Sequence, residues 1–199
     1  MRAHLGVFVI AVAVLSASAA RASAQDEVRR LFEAGKLQAA VEQATPDAPT
    51  EAQYWKGLAH LKLNQNDAAV EAFRRLQRAD DGWRPIGQSA VALIGGDQGG
   101  ALKAARAAVA RDASLAVAHY QLGLALESTG SSPEAAEAFV AATKADPRMA
   151  YAHYNAGMHY YKAKRVDRMA VYFENFLKLA PNAPERPAVE SIMRTVRGR

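Results

Sequence analysis

The 199-residue chain contains no cysteine. That excludes disulfides, thiolate metal sites, a cysteine nucleophile and a lipidated N-terminal cysteine. With 8 prolines and 13 glycines it is too poor in both for a low-complexity chain. Neither sign of charge dominates: 25 Lys plus Arg face 20 Asp plus Glu, so there is neither an acidic disordered tail nor a basic stripe of the kind phosphate contacts require. No apolar run reaches the roughly 20 residues that span a bilayer as a helix. What remains is a half-apolar composition in which alanine leads, and this favours closely packed helices in one soluble, all-α unit.

The first two dozen residues carry an address. Met1 to His4 is a short positive start, Leu5 to Leu15 is an apolar run of 11 residues, and small residues lead to Ala22-Ser23-Ala24. This pattern is that of a secretory signal peptide, residues 1–24, and predicts a periplasmic or secreted product; an uncleaved segment would instead tether it to the membrane. Cleavage before Gln25 leaves 175 residues, with 23 basic against 20 acidic, and no stable membrane insertion is expected of them.

The rest of the chain repeats itself. Ala118-His119-Tyr120-Gln121-Leu122-Gly123 aligns with Ala152-His153-Tyr154-Asn155-Ala156-Gly157 at an offset of 34, and the same offset carries Phe139 onto Phe173 and Pro147 onto Pro181. Each unit reads as two helices, with Pro133 suited to a first helical turn and Asp146-Pro147 ending a pair. Gly57, Ala69 and Phe73 keep the same internal spacing upstream. The expected pairs lie near 25–49, 50–82, 83–115, 116–149 and 150–182. The pair at 83–115 is degenerate, with Ser89 in the glycine position and Ala101 and Ala105 for alanine and phenylalanine. It reads as two short helices around the glycine-rich stretch Gly95 to Gly100. Residues 183–199 read as one amphipathic capping helix, apolar at Val189, Ile192, Met193 and Val196.

These residues resemble the tetratricopeptide repeats, whose 34-residue helix-turn-helix has the pattern W-x2-L-G-x2-Y, A-x3-F, P. Leu122-Gly123, Ala135, Phe139 and Pro147 match it in one unit, and Gly157, Tyr160, Phe173 and Pro181 in the next. The resemblance implies an all-α, right-handed superhelix of stacked hairpins whose concave face, built mainly from first helices, holds proteins or peptides.

Enzymatic chemistry has little to stand on. The glycines at 95–100 lack the Gly-Lys-Ser/Thr ending and the preceding strand of a phosphate-binding loop. His153 and His159 lie about 120° apart on a helix and cannot easily share a metal, and His119 repeats the place of His153 as a packed residue. No nucleophile elbow or carboxylate pair is present. No catalytic residue, cofactor or metal is therefore expected. Nucleic acid is not expected as a partner either, because Arg186, Arg194, Arg197 and Arg199 form only a local patch and Arg74, Arg75 and Arg78 a solvated face.

The informative constellation is aromatic. Tyr54, Tyr120 and Tyr154 each stand three residues before a repeat glycine, and Tyr151, Tyr154, Met158 and Tyr161 share an arc of roughly 80° on a helical wheel. By the resemblance, the groove candidates are Tyr54, Leu58, Tyr120, Leu124, Tyr151, Tyr154, Met158 and Tyr161, with Gln121 and Asn155 as hydrogen-bonding groups. The competing expectation packs the tyrosines against neighbouring helices. The functional expectation is a non-catalytic interaction scaffold of a bacterial envelope, with an accessory or substrate-binding subunit of an exported enzyme as the alternative.

Overall fold

A computed structural model of the protein describes residues 26–78 and 82–198; the leader expected over residues 1–24 lies outside the described residues. Among the described residues there are eleven helices and no strand. The helices fall into five pairs: α1 (26–33) with α2 (Leu37–Gln43), α3 (Thr50–Lys62) with α4 (Asn66–Leu76), α5 (Trp83–Ile94) with α6 (Gln98–Arg111), α7 (Ala116–Ser128) with α8 (Ser132–Ala145), and α9 (Ala150–Lys162) with α10 (Val166–Leu179). The last helix, α11 (Arg186–Arg197), follows alone. From α2 onward successive helices pack in chain order, and α5 also touches α7, so the architecture is an all-α repeat solenoid.

One local device turns the chain within every pair. Gly35, Asn64, Gly96, Gly130 and Lys164 all adopt left-handed backbone conformations, with φ of 72°, 59°, 78°, 79° and 57°. Each is followed by an N–H that reaches five residues back, as from Ser131 to the Leu126 carbonyl (3.0 Å) and from Arg165 to that of Tyr160 (2.9 Å). The left-handed residue closes the first helix and reverses the chain.

A second device sets the distance between partner helices. A Cβ on Gly57, Gly123 or Gly157 would stand 2.5 Å from the ring of Phe73, Phe139 or Phe173 respectively, each ring fully buried. Only glycine lets the ring lie against the facing backbone. In the third pair Ser89 and Ala105 exchange bulk, a larger residue replacing glycine and a smaller one replacing phenylalanine, and both are buried.

The third pair departs from the expectation of short helices: α6 has 14 residues, and Gly99 and Gly100 lie inside it. Asp97 caps α6 by accepting the Gly100 N–H at 2.8 Å, and a side chain on residue 100 would collide with that carboxylate. The glycines thus serve the cap, and the turn is confined to Gly95, Gly96 and Asp97. At the other end α11 buries Val189 and Met193, and Arg186 donates to the Leu177 carbonyl of α10 at 3.0 Å.

Candidate functional site

The first helix determines what the inner face of the solenoid offers. On α1, Val28 and Phe32 are almost fully buried, and so are the charged Arg29 and Glu33. Phe32 rests between Trp55 of α3 and Tyr151 of α9, with ring centroids at 5.4 and 5.2 Å. Arg29 donates to Asp146 at 2.5 Å, and the Ala150 N–H donates to Glu33 at 2.9 Å. Met149, the residue preceding α9, supplies no capping side chain, so Glu33 of α1 satisfies an orphan donor of a helix more than a hundred residues away. The first pair therefore meets the last directly, across the inner face.

Charge at this junction is unevenly compensated. Burial pushes Glu33 up to about 7, against the pull of Arg29 and of the Ala150 and Tyr151 N–H groups. Burial also tends to raise Asp146, but the Arg148 N–H and Arg29 outweigh it and hold that carboxyl below its ordinary value. For Arg29 the penalty of burial is overcome by Asp146, Glu33 and Glu51. One cation thus serves several carboxylates.

A second closure lies beside it. Lys62 Nζ, at the end of α3, donates to Glu185 Oε1 at 2.7 Å and to the Tyr151 hydroxyl at 2.8 Å, and Tyr151 donates to Glu185 Oε2 at 2.6 Å. Pro184 packs against Gly35 of the first turn. Burial raises the Tyr151 hydroxyl pKa well above its usual value, so it stays a donor.

Between the closures the first helices interlock. The Tyr54 hydroxyl donates to Gln121 Oε1 at 2.9 Å, and Gln121 Nε2 donates to the Ser89 hydroxyl at 3.0 Å, which joins α3, α7 and α5 through buried groups. Asn155 of α9 donates to the Tyr120 hydroxyl at 3.1 Å, while the Tyr120 ring lies tilted against Trp55 with centroids 6.1 Å apart.

The ten groove candidates consequently divide. Tyr54, Tyr120, Gln121 and Tyr151 are buried, 4% exposed or less, and present no surface to a partner. The helical wheel sets the tyrosines apart from the alanine and glycine face, yet each packs on a phenylalanine of its own pair, Tyr54 on Phe73 (5.8 Å), Tyr120 on Phe139 (5.5 Å) and Tyr151 on Phe176 (6.1 Å), and neighbouring first helices, with Phe32 of α1 over Tyr151, cover the rest. Leu58, Leu124, Tyr154, Asn155 and Met158 are half-buried, and Tyr161 is 44% exposed. Leu58, Leu124 and Met158 each follow a repeat glycine, so the repeat places them in one line. Tyr154 leans on Phe176 (5.2 Å) and Phe173 (6.5 Å), leaving only part of its ring open.

Sequence reasoning missed Arg29, Phe32, Glu33, Lys62 and Glu185. The signal in α1 is weak: Val28, Leu31 and Phe32 have helical spacing, but Arg29 and Glu33 share their face, and charges there ordinarily mean solvent. Among the histidines, His153 is buried and its Nε2 lies 3.0 Å from the Pro147 carbonyl, whereas His119 is half-buried with Nε2 at 2.9 Å from the Ala113 carbonyl. Among the described residues no three His, Asp or Glu side chains converge as metal ligands, and no helix is long and apolar enough to cross a membrane.

The sequence profile of the tetratricopeptide repeat family matches residues 26–82 and 120–184. No curated protein matches the chain. Among solved structures, the thermophilic TPR protein TTC0263 of Thermus thermophilus superposes with a TM-score of 0.61 at 17% identity, over 90% of this chain and 100% of that one. YrrB, described as a TPR protein with an unusual peptide-binding site, gives a TM-score of 0.49 at 18% identity, over 88% of this chain and 91% of that one. MamA gives 0.49 at 21%, over 73% and 89%.

Proposed function

Because the chain belongs to the tetratricopeptide repeat family, we propose that it is a non-catalytic scaffold of a bacterial cell envelope that binds a segment of another protein along the half-open line of its first helices. The observation that carries this reading is the repetition of Leu58, Leu124 and Met158 at one register position, beside the exposed Tyr161 and the partly open Tyr154 and Asn155. A recurring apolar line rimmed by tyrosine and amide groups offers contact area at low entropic cost, as protein-binding surfaces do. Tyr54, Tyr120, Gln121 and Tyr151 serve it from behind, as the rigid backing that holds the line in place.

The envelope address rests on the pattern of residues 1–24. Protein recovered from the producing cell should begin at Gln25 on N-terminal sequencing; a full-length product in the membrane fraction would replace export by tethering. The binding surface is tested by capture from envelope extract with the mature protein and with Met158→Asp combined with Tyr161→Ala. Loss of about 2 kcal/mol in affinity for the co-purifying partner is expected if these are hot spots. Unchanged capture by a folded variant would remove this surface from consideration.

A further inference from the structure

A separate concavity lies at the opposite end of α9 from α1, about 18 Å along the helix. It is a cleft of about 640 Å3, between the start of α8, the end of α9 and the start of α10. That volume is in the range of small-molecule sites. Lys162, Arg165 and Arg168 line it. Lys162 stands 3.7 Å from Glu127, and Arg168 donates to the Tyr160 hydroxyl at 3.1 Å, whereas Arg165 has no carboxylate partner among the described residues. Helix α10 starts beside Arg165 without a side-chain cap, so its first N–H groups have no side-chain acceptor.

A second observation points into the same cleft. His159, 3% exposed, forms part of its wall, and neither ring nitrogen has a hydrogen-bond partner; Glu127 Oε1 stands 3.6 Å from Nε2. Burial holds the His159 pKa below its usual value, so the ring is neutral and keeps one N–H donor. Buried donors without acceptors are uncommon. The rest of the wall is apolar, with Pro133, Ala136 and Ala163 around the Tyr160 ring.

From this juxtaposition we infer that the cleft binds an organic monocarboxylate, its carboxylate against Arg165, Arg168 and the start of α10 and its apolar body against Tyr160, Pro133 and Ala136. The charge count selects a single negative charge. Lys162 is paired with Glu127, which leaves Arg165 and Arg168 against Glu137 in the cleft wall, a net excess of one positive charge.

The test follows histidine ring signals by NMR in the mature protein, with phenylacetate, the uncharged phenylacetamide and inorganic phosphate as probes. Phenylacetate should shift the His159 signal saturably and leave that of His153 unmoved, while phenylacetamide and phosphate should not. Arg165→Gln with Arg168→Gln should raise the half-saturating concentration at least about tenfold, as loss of charge-assisted hydrogen bonds requires. If that variant melts lower than the wild type, Arg165→Gln alone, at an exposed position, reads the same effect. No saturable shift up to about 20 mM, an affinity weaker than a single small contact would give, would overturn the assignment. So would an equal response to phosphate, or undiminished binding by the variants.

Discussion

Arg29 of the first helix and Asp146 at the end of the eighth, 117 positions apart, are joined by a 2.5 Å hydrogen bond that ties the first pair to the end of the fourth, beside the bond from the Ala150 N–H of the last pair to Glu33. A solenoid held only by neighbour contacts would leave its ends independent. Here the ends share a junction, and Arg29→Leu should expose that. Removing the cation strands Asp146, Glu33 and Glu51, at a cost of about 2 to 4 kcal/mol in urea denaturation. Hydrogen exchange should show α1 and the Ala150 amide losing protection, while the α7–α8 pair keeps it.

The pH dependence of the junction should run opposite to that of a surface carboxylate. Glu33 has a folded pKa of about 7 against an ordinary 4.5, so the folded state holds a proton that the unfolded state releases. Its contribution is complete below 4.5 and declines as pH rises toward about 7. The buried histidines work the other way, since their folded pKa values are depressed. The comparison with Glu33→Gln isolates the effect: wild-type stability, measured by denaturation from pH 5 to pH 7.5, should fall relative to the variant as pH rises. A constant difference would show that Glu33 is ionised at the junction throughout.

Gly157→Ala should destabilise by about 1 to 3 kcal/mol, because its Cβ would lie 2.5 Å from the Phe173 ring. Phe173→Leu alone also costs stability, by leaving space in the core. Combined, the two should be less damaging than the sum of their separate effects, since the smaller side chain vacates the space the new methyl needs. Strict additivity in urea melts would mean that glycine and ring do not share a contact.

Lys164 is the exposed turn residue with φ of 57°, where the equivalent residue of three other pairs is glycine. Lys164→Gly should therefore raise stability by up to about 1 kcal/mol through relief of left-handed strain. A fall in the melting temperature would show that the turn contributes through the lysine side chain instead.

The tyrosines of α9 should separate into two kinds. Tyr154→Ala removes a ring packed on Phe173 and Phe176 and should cost about 2 kcal/mol or more of stability. Tyr161→Ala, at a 44% exposed position, should leave the melting curve within about 0.5 kcal/mol of wild type. Equal losses would place Tyr161 in the core as well.

Much of this architecture was legible in the residues. Offsets of 34 between Gly123 and Gly157 and between Phe139 and Phe173 identify the repeat, since each glycine–phenylalanine pair is a local contact within one hairpin and must recur with it. The two apolar arcs of α9 were legible too, because helix period alone sorts Tyr151, Tyr154, Met158 and Tyr161 from Ala152, Ala156 and Gly157. Helix period says nothing about what lies over the second arc. Whether Tyr120 faces water or Trp55 depends on how tightly successive hairpins curl, a sum of small rotations no local pattern encodes. In the same way Arg29 and Glu33 look like solvated charges until α1 is laid against Asp146 and the start of α9. The chain alone determined the hairpins and their order; only the assembled stack decided which tyrosines remain surface, because contacts between hairpins, up to that of the first pair on the last, depend on the assembled curvature and leave no periodic trace.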